Sequence, residues 1–114
     1  MKRDFNVYIM DILDSMEKIE KYLSVAKNEK EFYTNTQLQD AILRRLEIIG
    51  EAVKNIPEEI RKQYTSIPWK EMSGLRDILI HQYFGVNLKR VLKTIKEDLP
   101  SLKKKLKDIL KRIG

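Results

Sequence analysis

Residues 36–56 read Thr36-Gln37-Leu38-Gln39-Asp40-Ala41-Ile42-Leu43-Arg44-Arg45-Leu46-Glu47-Ile48-Ile49-Gly50-Glu51-Ala52-Val53-Lys54-Asn55-Ile56, and Pro57 follows. Leu38, Ile42, Leu46, Ile49, Val53 and Ile56 recur every three or four positions, the spacing that lines one side of an α-helix. This predicts a helix over about 36–55. Leu43, Ile48 and Ala52 lie off that line, so the helix is expected to pack on more than one side. Gly50 lowers helix propensity, and a close approach by a second helix would account for it.

Outward from this segment the same period persists, and no stretch alternates as a strand would. Phe5, Ile9, Ile12, Met16, Ile19 and Leu23 predict a first helix over 4–27, with Leu13 and Val25 widening its apolar stripe. Residues 28–35 read as a connector, with Thr34, Asn35 or Thr36 able to cap the second helix. Pro57 suits the start of a short helix over 57–63, and Ser66-Ile67-Pro68 starts another over 68–84, ending near Gly85. Asn87 caps a further helix with Leu88, Val91, Leu92 and Ile95 inward. Leu99-Pro100 predicts a break or kink, since proline lacks the N–H and disfavours helical backbone before it. Leu102, Leu106, Ile109 and Ile113 then resume the period. The expectation is all-α: a single domain, 1–114, folded as an up-and-down-like bundle of four to five helices.

Composition narrows the chemistry. The chain has no cysteine, which excludes disulfides, thiol nucleophiles and thiolate metal sites, and its single histidine excludes a multi-histidine metal centre within one chain. No metal and no cofactor is expected. Met1-Lys2-Arg3-Asp4 leads straight into a charged amphipathic pattern, without a signal-type or membrane-spanning apolar run, so the expectation is a cytoplasmic protein with no membrane partner. The net charge of +6 is uneven: residues 87–114 hold 10 of the 23 Lys and Arg and 3 of the 17 Asp and Glu, leaving 13 against 14 for residues 1–86. Clustered cations attract phosphates, although a solvated face of a terminal helix (Lys103, Lys104, Lys105, Lys107, Lys111) is the plainer reading.

Polar groups with catalytic potential gather in one stretch, Gly74-Leu75-Arg76-Asp77-Ile78-Leu79-Ile80-His81-Gln82-Tyr83-Phe84-Gly85. At helical period Leu75, Ile78 and Leu79 form a core line, Arg76, Ile80 and Tyr83 a second, and Asp77, His81 and Phe84 a third. Asp77, one turn before His81, can pair with and support it; such a pair is also an ordinary capping arrangement. Arginine offers a planar cationic fork for phosphate, and histidine moves protons near neutral pH. Together they suit metal-free cleavage of an RNA phosphodiester, and Tyr83 could contact a phosphate or be modified. Arg76 and His81 are about 140° apart on an ideal helix. They converge only if the last turn unwinds before Gly85 or a second copy faces the first across a dimer axis. Glu47 and Glu51, one turn apart with Arg44 nearby, could line the dimer cleft or bind a metal, a surface ion-pair row being the commoner arrangement, and Trp69 is a candidate core or interface anchor ahead of a base-stacking platform. No glycine-rich phosphate loop is present.

The spacing Arg76, four residues, His81, one residue, Tyr83 resembles the Arg-x4-His-x-Tyr motif of HepT-like toxins, within the broader HEPN superfamily, where a polar residue such as Asp77 follows the arginine. The surroundings are similar too: Tyr8-Ile9-Met10-Asp11-Ile12-Leu13, Gln39 to Ala52, Ile67-Pro68-Trp69, Tyr83-Phe84-Gly85-Val86 and Glu97-Asp98-Leu99-Pro100 occur in the same order over almost the whole chain. The resemblance implies a homodimeric HEPN/HepT-like bundle with two motifs facing each other in a cleft. It also implies a toxin of a toxin–antitoxin system: a metal-independent endoribonuclease using Arg76 and His81 on RNA. Its partner would be a minimal nucleotidyltransferase (MntA-like) antitoxin that silences it by transferring AMP to Tyr83. The alternatives are a non-catalytic acceptor for that nucleotidyltransferase, or a basic nucleic-acid-binding module using residues 87–114.

Overall fold

The computed structural model describes the backbone of residues 5–81 and 88–113 and the side chains of residues 5–75 and 88–112. Among these there is no strand. Helices α1 (Asn6–Ser24), α3 (Thr36–Lys54) and α5 (Trp69–His81) are long. A fourth helical rod runs through α6 (Leu88–Lys93), a π-helical turn (Thr94–Asp98) and α7 (Leu99–Ile113). Two six-residue helices, α2 (Glu29–Thr34) and α4 (Glu58–Gln63), fill the connections.

The core follows the apolar period. Ile9, Ile12, Met16 and Ile19 of α1 and Ile42, Leu46, Ile49 and Val53 of α3 are fully or almost fully buried, and they meet across the α1–α3 seam. Helix α3 also packs extensively on α5, while α7 lies on α1 through Leu102, Leu106 and Ile109. Helix α3 is therefore flanked on two sides, as its wide apolar arc (Ile42, Leu46, Ile49, Gly50, Ala52, Val53) requires.

Three local expectations are corrected. Residues 28–35 are not a plain connector: Glu29–Thr34 is helical and buries Phe32 completely. The Asn28 side chain accepts from the Glu31 N–H at 3.1 Å, and the Glu31 carboxylate accepts from the Lys27 N–H at 2.6 Å, a near relative of the capping box. Val25 does not widen the α1 stripe; it lies past the last helical residue and is 75% exposed. At Leu99-Pro100 the helical backbone continues, with Leu99 at φ −61° and ψ −40°. The disturbance appears one turn earlier. Pro100 cannot donate to the carbonyl of residue 96 and its ring crowds that carbonyl, and the wider turn over 94–98, in which the Leu99 N–H reaches Thr94 O, makes room.

Candidate active site

The motif helix is fixed at its N-terminal end. The indole N–H of Trp69 donates to the carbonyls of Arg61 (3.1 Å) and Tyr64 (3.0 Å), tying the start of α5 to the end of α4. The ring is 7% exposed, so Trp69 is a core anchor and not a free stacking platform. Met72 is buried beside it, and Leu75 packs partly against the same core.

Arg76, Asp77 and His81 all lie on the continuous α-helix Trp69–His81; their side chains, and Tyr83 altogether, lie outside the described residues. The helical register still places the positions. Position 76 is one heptad beyond Trp69 and four residues beyond Met72. Position 81 is nine residues beyond Met72, about 180° around the axis. The helix does not unwind between 76 and 81, so on one copy the two positions keep their separation of about 140°. Asp77 and His81 are one turn apart, as the spacing anticipates. Among the described residues an added Cβ at Gly74 would meet nothing within 4 Å.

Glu47 and Glu51 come together with Tyr8, Asp11 and Arg44 in a groove of about 320 Å³ between α1 and α3, floored by Ile48 and Ala52. Glu47 is held by Arg44 at 2.6 Å, which is the ion-pair row rather than a ligand set. Among the described residues no group of three or more His, Asp or Glu is placed to hold a metal ion, and no helix is long and apolar enough to cross a membrane.

A second concavity was not foreseen, because α2 was not. The outer side of α2 and the α6–π turn enclose an open cleft of about 870 Å³ lined by Tyr33, Lys89, Arg90, Lys93, Lys96 and three carboxylates. Tyr33 is 40% exposed there, and Lys96 is paired with Glu29. The signal available beforehand was the Asn28-x-x-Glu31 cap, which marks a helix start without any apolar period.

Comparison with known proteins bears on what this arrangement serves. Residues 12–109, from α1 into α7, match the family described as "Ribonuclease HepT-like". The chain is similar to a Thermococcus cleftensis protein named "Probable ribonuclease HepT", 45% identical over 111 residues that take in 97% of this chain and 100% of that protein. It is 46% identical over 112 residues to a Methanocaldococcus jannaschii protein named "Putative RNase", covering 98% of this chain and 92% of the relative. Another protein of that organism, named "Gamma-glutamylcyclotransferase and putative RNase", is 47% identical over 113 residues; the match takes in 99% of this chain and spans half, 50%, of that relative's length. No solved structure matches the chain.

Proposed function

Because the chain belongs to the HepT-like ribonuclease family, we propose that it is a metal-independent endoribonuclease, the toxin of a HEPN toxin–antitoxin pair, with its chemistry at Arg76 and His81. The observation that carries this is the family match over residues 12–109, a span that includes the Arg76-x4-His81-x-Tyr83 sequence; Arg76 and His81 lie on the anchored helix.

The residues suffice for the reaction class. His81 moves the proton, from the attacking 2′-hydroxyl or onto the departing 5′-oxygen, while Arg76 stabilises the charge that builds on the phosphoryl oxygens between them. Asp77, one turn below, supports the imidazole. Two copies make the site: positions about 140° apart on one helix converge when a twofold axis sets the arginine of one copy opposite the histidine of the other. Tyr83 is the regulatory position. Transfer of AMP to its hydroxyl by a minimal nucleotidyltransferase antitoxin places phosphate beside Arg76 and His81, filling and neutralising the site.

The test uses the purified, unmodified chain and RNA in EDTA. Cleavage is expected, with a loss of about 10²–10⁴-fold on His81→Ala, the usual range for one proton-transferring group. A wild type that cuts no better than His81→Ala ends the reading. Intact-mass spectrometry after co-expression with the nucleotidyltransferase should show adducts in whole AMP units that vanish in Tyr83→Phe; an unmodified mass in an inactive complex removes the silencing step.

A further inference from the structure

The basic excess of the last quarter of the chain is not spread evenly once the side chains are in place. Lys96 is spent on Glu29, Lys103 bonds Glu20 at 2.9 Å, and Lys105 donates to the Ser66 carbonyl at 3.0 Å. The cleft between α2 and the α6–π turn mixes its four cations with Glu29, Glu97 and Asp98.

Helix α7 is different. It carries Lys103, Lys104, Lys105, Lys107, Lys111 and Arg112 against one acid, Asp108, and Asp108 lines a small hollow with Tyr64, Ser66 and Arg112. Lys104, Lys107 and Lys111 are exposed, and among the described residues none has an ion pair. They recur at i, i+3 and i+7 and so share one face, rising about 4.5 and about 6 Å along the axis. The opposite face, Leu102, Leu106 and Ile109, is buried against the bundle, so the three lysines project from one face of a helix that is itself held in place. Three like charges at this spacing repel one another unless an anion lies along them.

We propose that Lys104, Lys107 and Lys111 of α7 form a track for successive phosphates of the RNA strand, outside the motif helix. The inference rests on the ribonuclease reading for the identity of its ligand, but the interaction it names does not depend on cleavage.

The experiment measures binding of a uniformly 2′-O-methylated RNA, which has no free 2′-hydroxyl to attack, across a range of salt concentrations. The full-length wild type is compared with Lys104→Gln/Lys107→Gln/Lys111→Gln and with a charge-matched control, Lys21→Gln/Lys30→Gln/Lys62→Gln; circular dichroism confirms that both fold. Each lost phosphate contact lowers the slope of log K against log salt by about 0.7 for a single strand, so the α7 variant should lose about two units of slope while the control keeps its slope. Unchanged affinity and slope in the α7 variant overturn the proposal, as does an equal loss in the control. If wild-type protein binds through these lysines yet never cuts ordinary RNA, the catalytic reading has failed and the track stands.

Discussion

Trp69→Phe tests whether the motif helix is held at its entry in the way described. The substitution keeps an aromatic ring in a nearly closed site and removes the indole N–H together with part of the ring. Tyr64 O retains a second donor, the Ile67 N–H at 3.3 Å, so its loss is small. Arg61 O lies in the last turn of α4 and loses its indole donor in a half-buried setting, which costs about 1 kcal/mol. The space left by the smaller ring adds about 1–2 kcal/mol, since such cavities collapse only in part. The sum is about 2–3 kcal/mol, or a fall of about 10 °C in Tm for a chain of this size. Thermal melting followed by circular dichroism reads it directly; fluorescence cannot, because Trp69 is the chain's single tryptophan. A drop under about 0.5 kcal/mol, the usual range of a surface change, would refute the anchor.

Phe32→Ala should cost about 3–5 kcal/mol, whereas Val25→Ala, only seven residues away but 75% exposed, should stay within about 0.5 kcal/mol; parallel urea titrations compare them. Ser15 is 1% exposed in α1 and its hydroxyl has no hydrogen-bond partner among the described residues, so Ser15→Ala should raise stability by about 1 kcal/mol in the same assay.

The long helices were legible because each offers several turns of apolar period, and a wrong choice of face would have left Ile9, Ile12, Met16 and Ile19, or Ile42, Leu46, Ile49 and Val53, in water. Asn35 was among three named caps, and its side chain does accept from the Leu38 N–H at 3.0 Å. Period fails where an element is too short for its buried positions to recur. Helix α2 has six residues and one buried side chain, Phe32, so nothing in it recurs; only its capping residues announced it. Val25 failed from the other direction, by carrying a stripe beyond Ser24, where the helix that gave it meaning has ended. Pro100 shows that a sequence rule can name the stress and misplace the response: the chain kept its helix and widened the turn before the proline, where the carbonyls have room to shift.

The motif region divides along the same line. Hydropathy alone put the inner face of α5 at Leu75, Ile78 and Leu79, because arginine does not count as apolar. Of that line Leu75 packs partly against the core, beside the buried Trp69 and Met72; the side chains of Ile78 and Leu79 lie outside the described residues. A separation of three, four or seven residues would set two groups side by side on a helix; a separation of five sets them apart. Since α5 is helical from Trp69 through His81, the spacing that makes Arg76 and His81 recognisable also sets their positions about 140° apart on one copy. Under the proposed reading, a reaction that needs both groups at one phosphate draws them from two copies, and self-association is then part of the chemistry. Dilution below the dimer dissociation constant should therefore abolish cleavage with second-order dependence on chain concentration. Mixing inactive Arg76→Ala with inactive His81→Ala should restore one working site in the mixed dimer, about a quarter of the wild-type activity if subunits exchange at random. Activity that stays proportional to concentration, with no rescue on mixing, would sink the two-copy site.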